Sequence, residues 1–84
     1  MYKVSFASRV EKQLDKISNK NYQNIITHIS ALSHNPRPDG CKKLAGFENI
    51  YRIRIGNYRV IYNIKDEILT VLVVKIGHRR DVYK

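Results

Sequence analysis

Three arginines, Arg52, Arg54 and Arg59, stand within the stretch YRIRIGNYRVIYN at residues 51–63, and a second basic group, GHRRDVY, covers 77–83. Arginine keeps its charge and offers paired N–H donors in a planar fork, a geometry that phosphate and carboxylate oxygens accept. His78 adds an imidazole able to donate or accept a proton near neutrality, and Tyr83 adds a phenol. Arg79 and Arg80 deepen the positive field beside them. These residue types suit chemistry on an anionic group: holding it, neutralising charge that builds on it, and moving a proton next to it. His28 and His34 have no Cys, Asp or Glu at ligand spacing, and the 4 glycines form no G-x-G-x-x-G. No metal or cofactor is expected.

The first group reads as a hairpin. Gly56-Asn57 between two alternating runs predicts a two-residue turn. Ile55 then pairs with Tyr58, Arg54 with Arg59, Ile53 with Val60, Arg52 with Ile61 and Tyr51 with Tyr62. Directly opposed residues share a face of the sheet. One face thus carries Tyr51, Ile53, Ile55, Tyr58, Val60, Tyr62 and Ile64, and the other collects Arg52, Arg54 and Arg59. Opposing Arg54 to Arg59 costs about a few tenths of a kcal/mol, and neither strand offers an acidic residue in relief. The following apolar run, LTVLVVKI, leaves its parity open. A two-residue turn at Asp66-Glu67 puts Thr70, Leu72 and Val74 on the arginine face, whereas a three-residue loop puts Lys75 there.

The elements that must position this hairpin follow from periodicity. YKVSFA alternates as a short strand with Tyr2, Val4 and Phe6 on one face. Ser8 and Glu11 have capping-box spacing and open a helix along Val10, Leu14 and Ile17. SNKN at 18–21 is a connection and a new cap. The second helix carries Tyr22, Ile25, Ile26, Ile29 and Leu32 as one stripe and ends before Pro36. NPRPDGCKKLAGF reads as a loop, followed by strands near 50–55, 58–64 and 68–76, with Gly77 able to end the last. The order β-α-α-β-β-β predicts an α+β fold, a helical hairpin packed on one face of a mainly antiparallel sheet.

The whole chain bounds the rest. Its 84 residues, 43% hydrophobic and 27% charged, predict one folded domain and not a disordered tail. No apolar run reaches the roughly 20 residues of a membrane span, and the opening MYKVSFASRVEK lacks an apolar signal core. A lone cysteine, Cys41, forms no internal disulfide and fits a reducing, cytoplasmic setting. The net charge of +9 is uneven: residues 42–84 carry ten basic and four acidic side chains, against six and three in residues 1–41. Such a field attracts nucleic acid, anionic lipid or an acidic protein.

YRIRIGNYRVIY followed by VVKIGHRRDVY resembles the RelE toxins of the RelE/ParE superfamily, the toxin halves of prokaryotic toxin–antitoxin pairs. The resemblance spans essentially the whole chain and includes the K-K-L-x-G run at Lys42–Gly46. It implies a ribosome-dependent endoribonuclease that cuts mRNA in the A site by attack of a ribose 2′-hydroxyl on the adjacent phosphate. It also implies an acidic antitoxin partner, in a heterotetramer or larger assembly. Carried onto this chain, Arg52 and Arg54 take the place of active-site lysines, while Arg59, Arg79 and Tyr83 match the family's arginines and tyrosine. Lys42, Lys43 and Arg80 are assigned to RNA or ribosome contact. The lysine-to-arginine departure shifts proton transfer to His78 or Tyr83, because arginine is not a proton acceptor. Some relatives pair a glutamate with a histidine, but the nearest counterparts to that glutamate here are basic, Lys42 or Lys43. Two other readings stand: a ParE-like DNA gyrase inhibitor, and a non-enzymatic basic module that binds nucleic acid.

Overall fold

A computed structural model describes residues 1–78. The chain runs β1 (Lys3–Phe6), α1 (Ser8–Asp15), α2 (Asn19–Ala31), β2 (Lys42–Lys43), β3 (Ile50–Ile55), β4 (Tyr58–Lys65) and β5 (Thr70–His78), with a 3-10 turn at Asp66–Ile68. The strands form one sheet in the order β1-β5-β4-β3-β2. β1 runs parallel to β5, and the other neighbours are antiparallel. Both helices lie on one face, α1 against β5 and α2 against β3. The α+β arrangement expected from periodicity is present, with one addition. Part of the expected loop, Lys42–Lys43, pairs with β3 as a short edge strand.

Local chemistry sets the helix ends. Ser18 caps α2, its side chain accepting from the Asn21 N–H at 3.5 Å. The α2 C-cap is Leu32, ahead of Pro36 as the proline geometry requires. The start of α1 differs from expectation: Ala7 is the cap and Ser8 the first helical residue, with no side-chain cap bond. The sheet takes over the task. The Ala7 N–H donates to the Val73 carbonyl at 2.9 Å, and the Val10 N–H donates to the Ala7 carbonyl at 2.9 Å, so the entry is fixed without a hydroxyl.

The core lies between the helices and the sheet. Val10, Ile25, Ile29 and Leu32 meet Ile53, Ile55, Val60, Tyr62, Ile64, Val71, Val73 and Ile76, all buried. Each such side chain contributes about 1.5–3 kcal/mol by leaving water. On β3 and β4 these positions alternate strictly. On β5 they run 71, 73, 76, because the pairing shifts by one residue: Tyr62 faces Val73, but Ile61 faces Lys75 and Val60 faces Ile76. Val74 is the extra residue of a β-bulge. Gly77 does not end the strand; it faces Arg59, and His78 faces Tyr58.

A polar cluster ties the 34–40 loop to the sheet. Asp66 accepts from Arg37 Nη2 at 2.9 Å and from the Tyr2 hydroxyl at 2.5 Å. Arg37 Nε also donates to the Tyr51 hydroxyl at 3.2 Å, and its guanidinium lies 5.3 Å from the Tyr51 ring centroid. The Arg37 bond, then the Tyr2 bond, holds the Asp66 carboxyl below the usual carboxylate range. A lowered folded value stabilises the protein fully above the unfolded carboxylate pKa of about 3.9 and loses that contribution as pH falls through the folded value. We therefore expect Asp66 to titrate below about 3.9 by NMR, and Asp66→Asn to flatten the acid limb of the stability curve slightly. An Asp66 titrating at or above that value contradicts the cluster's role.

Candidate active site

The turn at Gly56-Asn57 produces the expected pairing: Ile55 with Tyr58, Arg54 with Arg59, Ile53 with Val60, Arg52 with Ile61 and Tyr51 with Tyr62. Since Ile53, Ile55, Val60 and Tyr62 fill the core, the arginines occupy the face turned away from the helices. The neighbouring strands extend that face. Lys42 is opposite Arg52, so one rung crosses four strands as Lys42, Arg52, Ile61 and Lys75. The next rung is Arg54, Arg59 and Gly77. With strands about 4.8 Å apart, the first rung spans about 14 Å. None of the five strands contains an acidic residue.

The three guanidinium groups differ in environment. Arg54 is exposed, Arg52 is half-buried, and Arg59 is only 6% exposed. Arg52, Arg59 and Lys75 each have an interacting partner. A nearly buried guanidinium across from an exposed one presents two fixed charges in a partly desolvated setting, where electrostatic attraction to an anion is stronger than in water. Gly77 beside Arg59 carries no side chain, so an extended ligand meets no side chain at that point.

The other sequence candidates separate. Lys43 pairs with Tyr51 and therefore points to the helix side, away from Lys42. His78 pairs with Tyr58 and meets its ring edge-on at 5.6 Å between centroids. Tyr58 belongs to the helix-side set, so the register places His78 across the sheet from the arginines. Arg79, Arg80 and Tyr83 lie outside the described residues. Lys75, whose parity was open, joins the arginine face through the bulge, and Thr70 and Leu72 share that face before it. The spacing of Val71, Val73 and Ile76 is the signal that identifies the shift once the core is known.

A cavity of about 460 Å³ opens between α2 and the 35–40 loop, with His28, Leu32, Pro38, Ile53 and Arg54 among its lining residues. Small-molecule sites are typically concave and mostly apolar. The cationic face carries Lys42, Arg52, Arg54, Arg59 and Lys75 and suits an anion. Among the described residues no group of three or more His, Cys, Asp or Glu is arranged to hold a metal ion.

The class defined here is a small α+β protein with helices on one side of its sheet and a cationic face on the other. Residues 4–83 match the family described as the ParE toxin of the type II toxin–antitoxin system parDE. A toxin named RelE1 from Methanocaldococcus jannaschii is 31% identical, over 99% of this chain and 96% of its own length. RelE in the archaeal RelE–RelB complex of Pyrococcus horikoshii superposes with a TM-score of 0.84 at 27% identity, covering 96% of this chain and 98% of that one. The isolated Escherichia coli RelE toxin gives 0.83 at 26% identity, covering 99% and 92%. The chain belongs to the RelE/ParE toxin family of type II toxin–antitoxin systems.

Proposed function

We propose that the protein is the toxin of a type II pair and acts in the cytoplasm as a ribosome-dependent endoribonuclease that cuts mRNA in the A site. One observation carries this reading: Arg52, Arg54 and Arg59 share one face of a sheet whose strands contain no acidic residue. In the reaction, the ribose 2′-oxygen attacks the adjacent phosphorus, the bond from phosphorus to the 5′-oxygen breaks, and a cyclic phosphate and a 5′-hydroxyl result. Negative charge builds on the non-bridging oxygens, and fixed guanidinium donors lower that barrier. Lys42 extends the same charge, the family resemblance assigns Arg79 to the same task, and Lys43 and Arg80 are assigned to RNA or ribosome contact. Arginine does not accept the 2′-hydroxyl proton. His78 is across the sheet, so in this reading the family resemblance leaves Tyr83 as the protein group for that task, and the ribosome orients the substrate. The partner is an acidic antitoxin, as RelB accompanies RelE in the archaeal complex, assembled as a heterotetramer or larger.

The matching family description is of the ParE type, which keeps gyrase inhibition as the second reading. Inducing the protein in cells and mapping mRNA 5′ ends separates the two. New ends confined to translated frames are the expected result. Intact message together with supercoiling defects overturns the nuclease in favour of gyrase.

A further inference from the structure

We propose that Lys75 is a phosphate-contacting residue of the arginine face, and that Gln13 positions it by holding the β-bulge. The inference rests on the nuclease reading. If β5 continued the ladder from Tyr62 and Val73 without a shift, Ile61 would face Val74 and Val60 would face Lys75. Lys75 would then point under the helices, where burying a charge is strongly unfavourable. The extra residue at Val74 turns Lys75 to the other side and returns Ile76 to the core, where it is 2% exposed.

Something must hold the strand in that irregular path. β1 accompanies β5 only as far as Phe6 opposite Val73, so the outer edge of β5 has no β1 partner beyond that point. The side chain of Gln13, on α1, takes the place of a strand. Its Oε1 accepts from the Ile76 N–H at 2.8 Å in a partly buried bond, one residue past Lys75. On the edge away from β4, this backbone anchor sits where the parity of β5 changes.

The position reached is well suited to an extended anion. Lys75 is opposite Ile61, one rung from Arg59 on the adjacent strand. Such diagonal neighbours are about 7–8 Å apart, within reach of long side chains. The residue directly opposite Arg59 is Gly77, so the Lys75 stem meets no competing side chain there. A lysine ammonium is a compact charge with three donors, complementary to a phosphate oxygen beside the one an arginine grips.

The test is single-turnover cleavage of mRNA on programmed ribosomes, with rate and half-saturating toxin concentration measured separately and folding checked by thermal melting. Lys75→Ala is expected to lower the saturated rate about tenfold or more, and Lys75→Arg to recover most of it. Gln13→Ala should fall in the same way, while Gln13→Glu, which still accepts from the Ile76 N–H, should recover. Because Gln13 acts through Lys75, Gln13→Ala with Lys75→Ala should be no slower than Lys75→Ala alone. Lys75→Ala at the parental rate, with Arg59→Ala slow, overturns this inference and leaves the nuclease standing. Lys75→Arg as slow as Lys75→Ala rejects a role through charge, and additive losses in the double variant reject positioning by Gln13. No cleavage by the unsubstituted protein overturns the nuclease reading itself, whereas Arg59→Ala at the parental rate removes only Arg59 from the site.

Discussion

Replacing Arg59 with alanine is expected to reduce ribosome-bound mRNA cleavage by about 10²–10³-fold, the loss typical of removing one preorganised donor from developing negative charge. The fold should survive. Arg59 is on the face away from the core, and its removal also relieves the like-charge pairing with Arg54. Lysine at the same position should restore only part of the rate, since it keeps the charge but lacks the paired fork. Arg54→Thr provides the complementary measurement. Removing one member of the opposed pair should raise stability by about a few tenths of a kcal/mol, about 2 °C in melting temperature for a domain of this size, while cleavage falls. Opposite signs for stability and activity in one variant identify the arginine pair as held for its charge. An Arg54→Thr protein that is both less stable and fully active would remove that interpretation.

The second large effect concerns Tyr62, which links both halves of the structure. It is fully buried, its ring stacks on Tyr51 at 6.0 Å, and its hydroxyl donates to the Pro36 carbonyl at 2.8 Å. Burial pushes the phenol's pKa well above its ordinary value, so it remains a donor throughout the working range. Tyr62→Ala empties a large central volume and removes the anchor of the loop that follows α2. By comparison with other aromatic truncations it should cost about 3–5 kcal/mol. At about 0.05–0.15 kcal/mol per residue, that is a large share of what a chain of this length has. The variant should be largely unfolded, or show a urea midpoint near zero. Tyr62→Phe isolates the hydrogen bond and should cost about 1 kcal/mol. If alanine and phenylalanine shift the urea midpoint equally, the packing role assigned to the ring is wrong.

The hairpin was legible in the sequence because a two-residue turn fixes every cross-strand partner after it. Gly56-Asn57 alone determined that Arg54 faces Arg59 and that the arginines leave the core side. The α2 stripe was legible for a similar reason: Ile25, Ile29 and Leu32 repeat at helical spacing and have one apolar surface to meet. β5 was not legible. LTVLVVKI is apolar on both sides, so periodicity does not locate a bulge. The shift is set by tertiary contacts with Gln13 and β4 that lie far away in sequence. The start of α1 was read one residue late because its entry is held by Val73 and not by a side-chain cap. Lys42–Lys43 looked like loop because two residues carry no period, and only pairing with β3 makes them a strand.

The parallel pairing of β1 with β5 has a consequence for the order of synthesis. Lys3, in the strand that comes earliest among the described residues, finds its partner only in Thr70. Pairings so distant along the chain form slowly and close late. Until β5 has left the ribosome, β1 has no neighbour, α1 has no strand to cover, and the core lacks Val71, Val73 and Ile76. Lys75 and Gly77 reach the cationic face on that same segment. A partly translated chain therefore has neither the fold nor the assembled face, and under the proposed activity the ribosome making the toxin is spared by it until β5 has emerged.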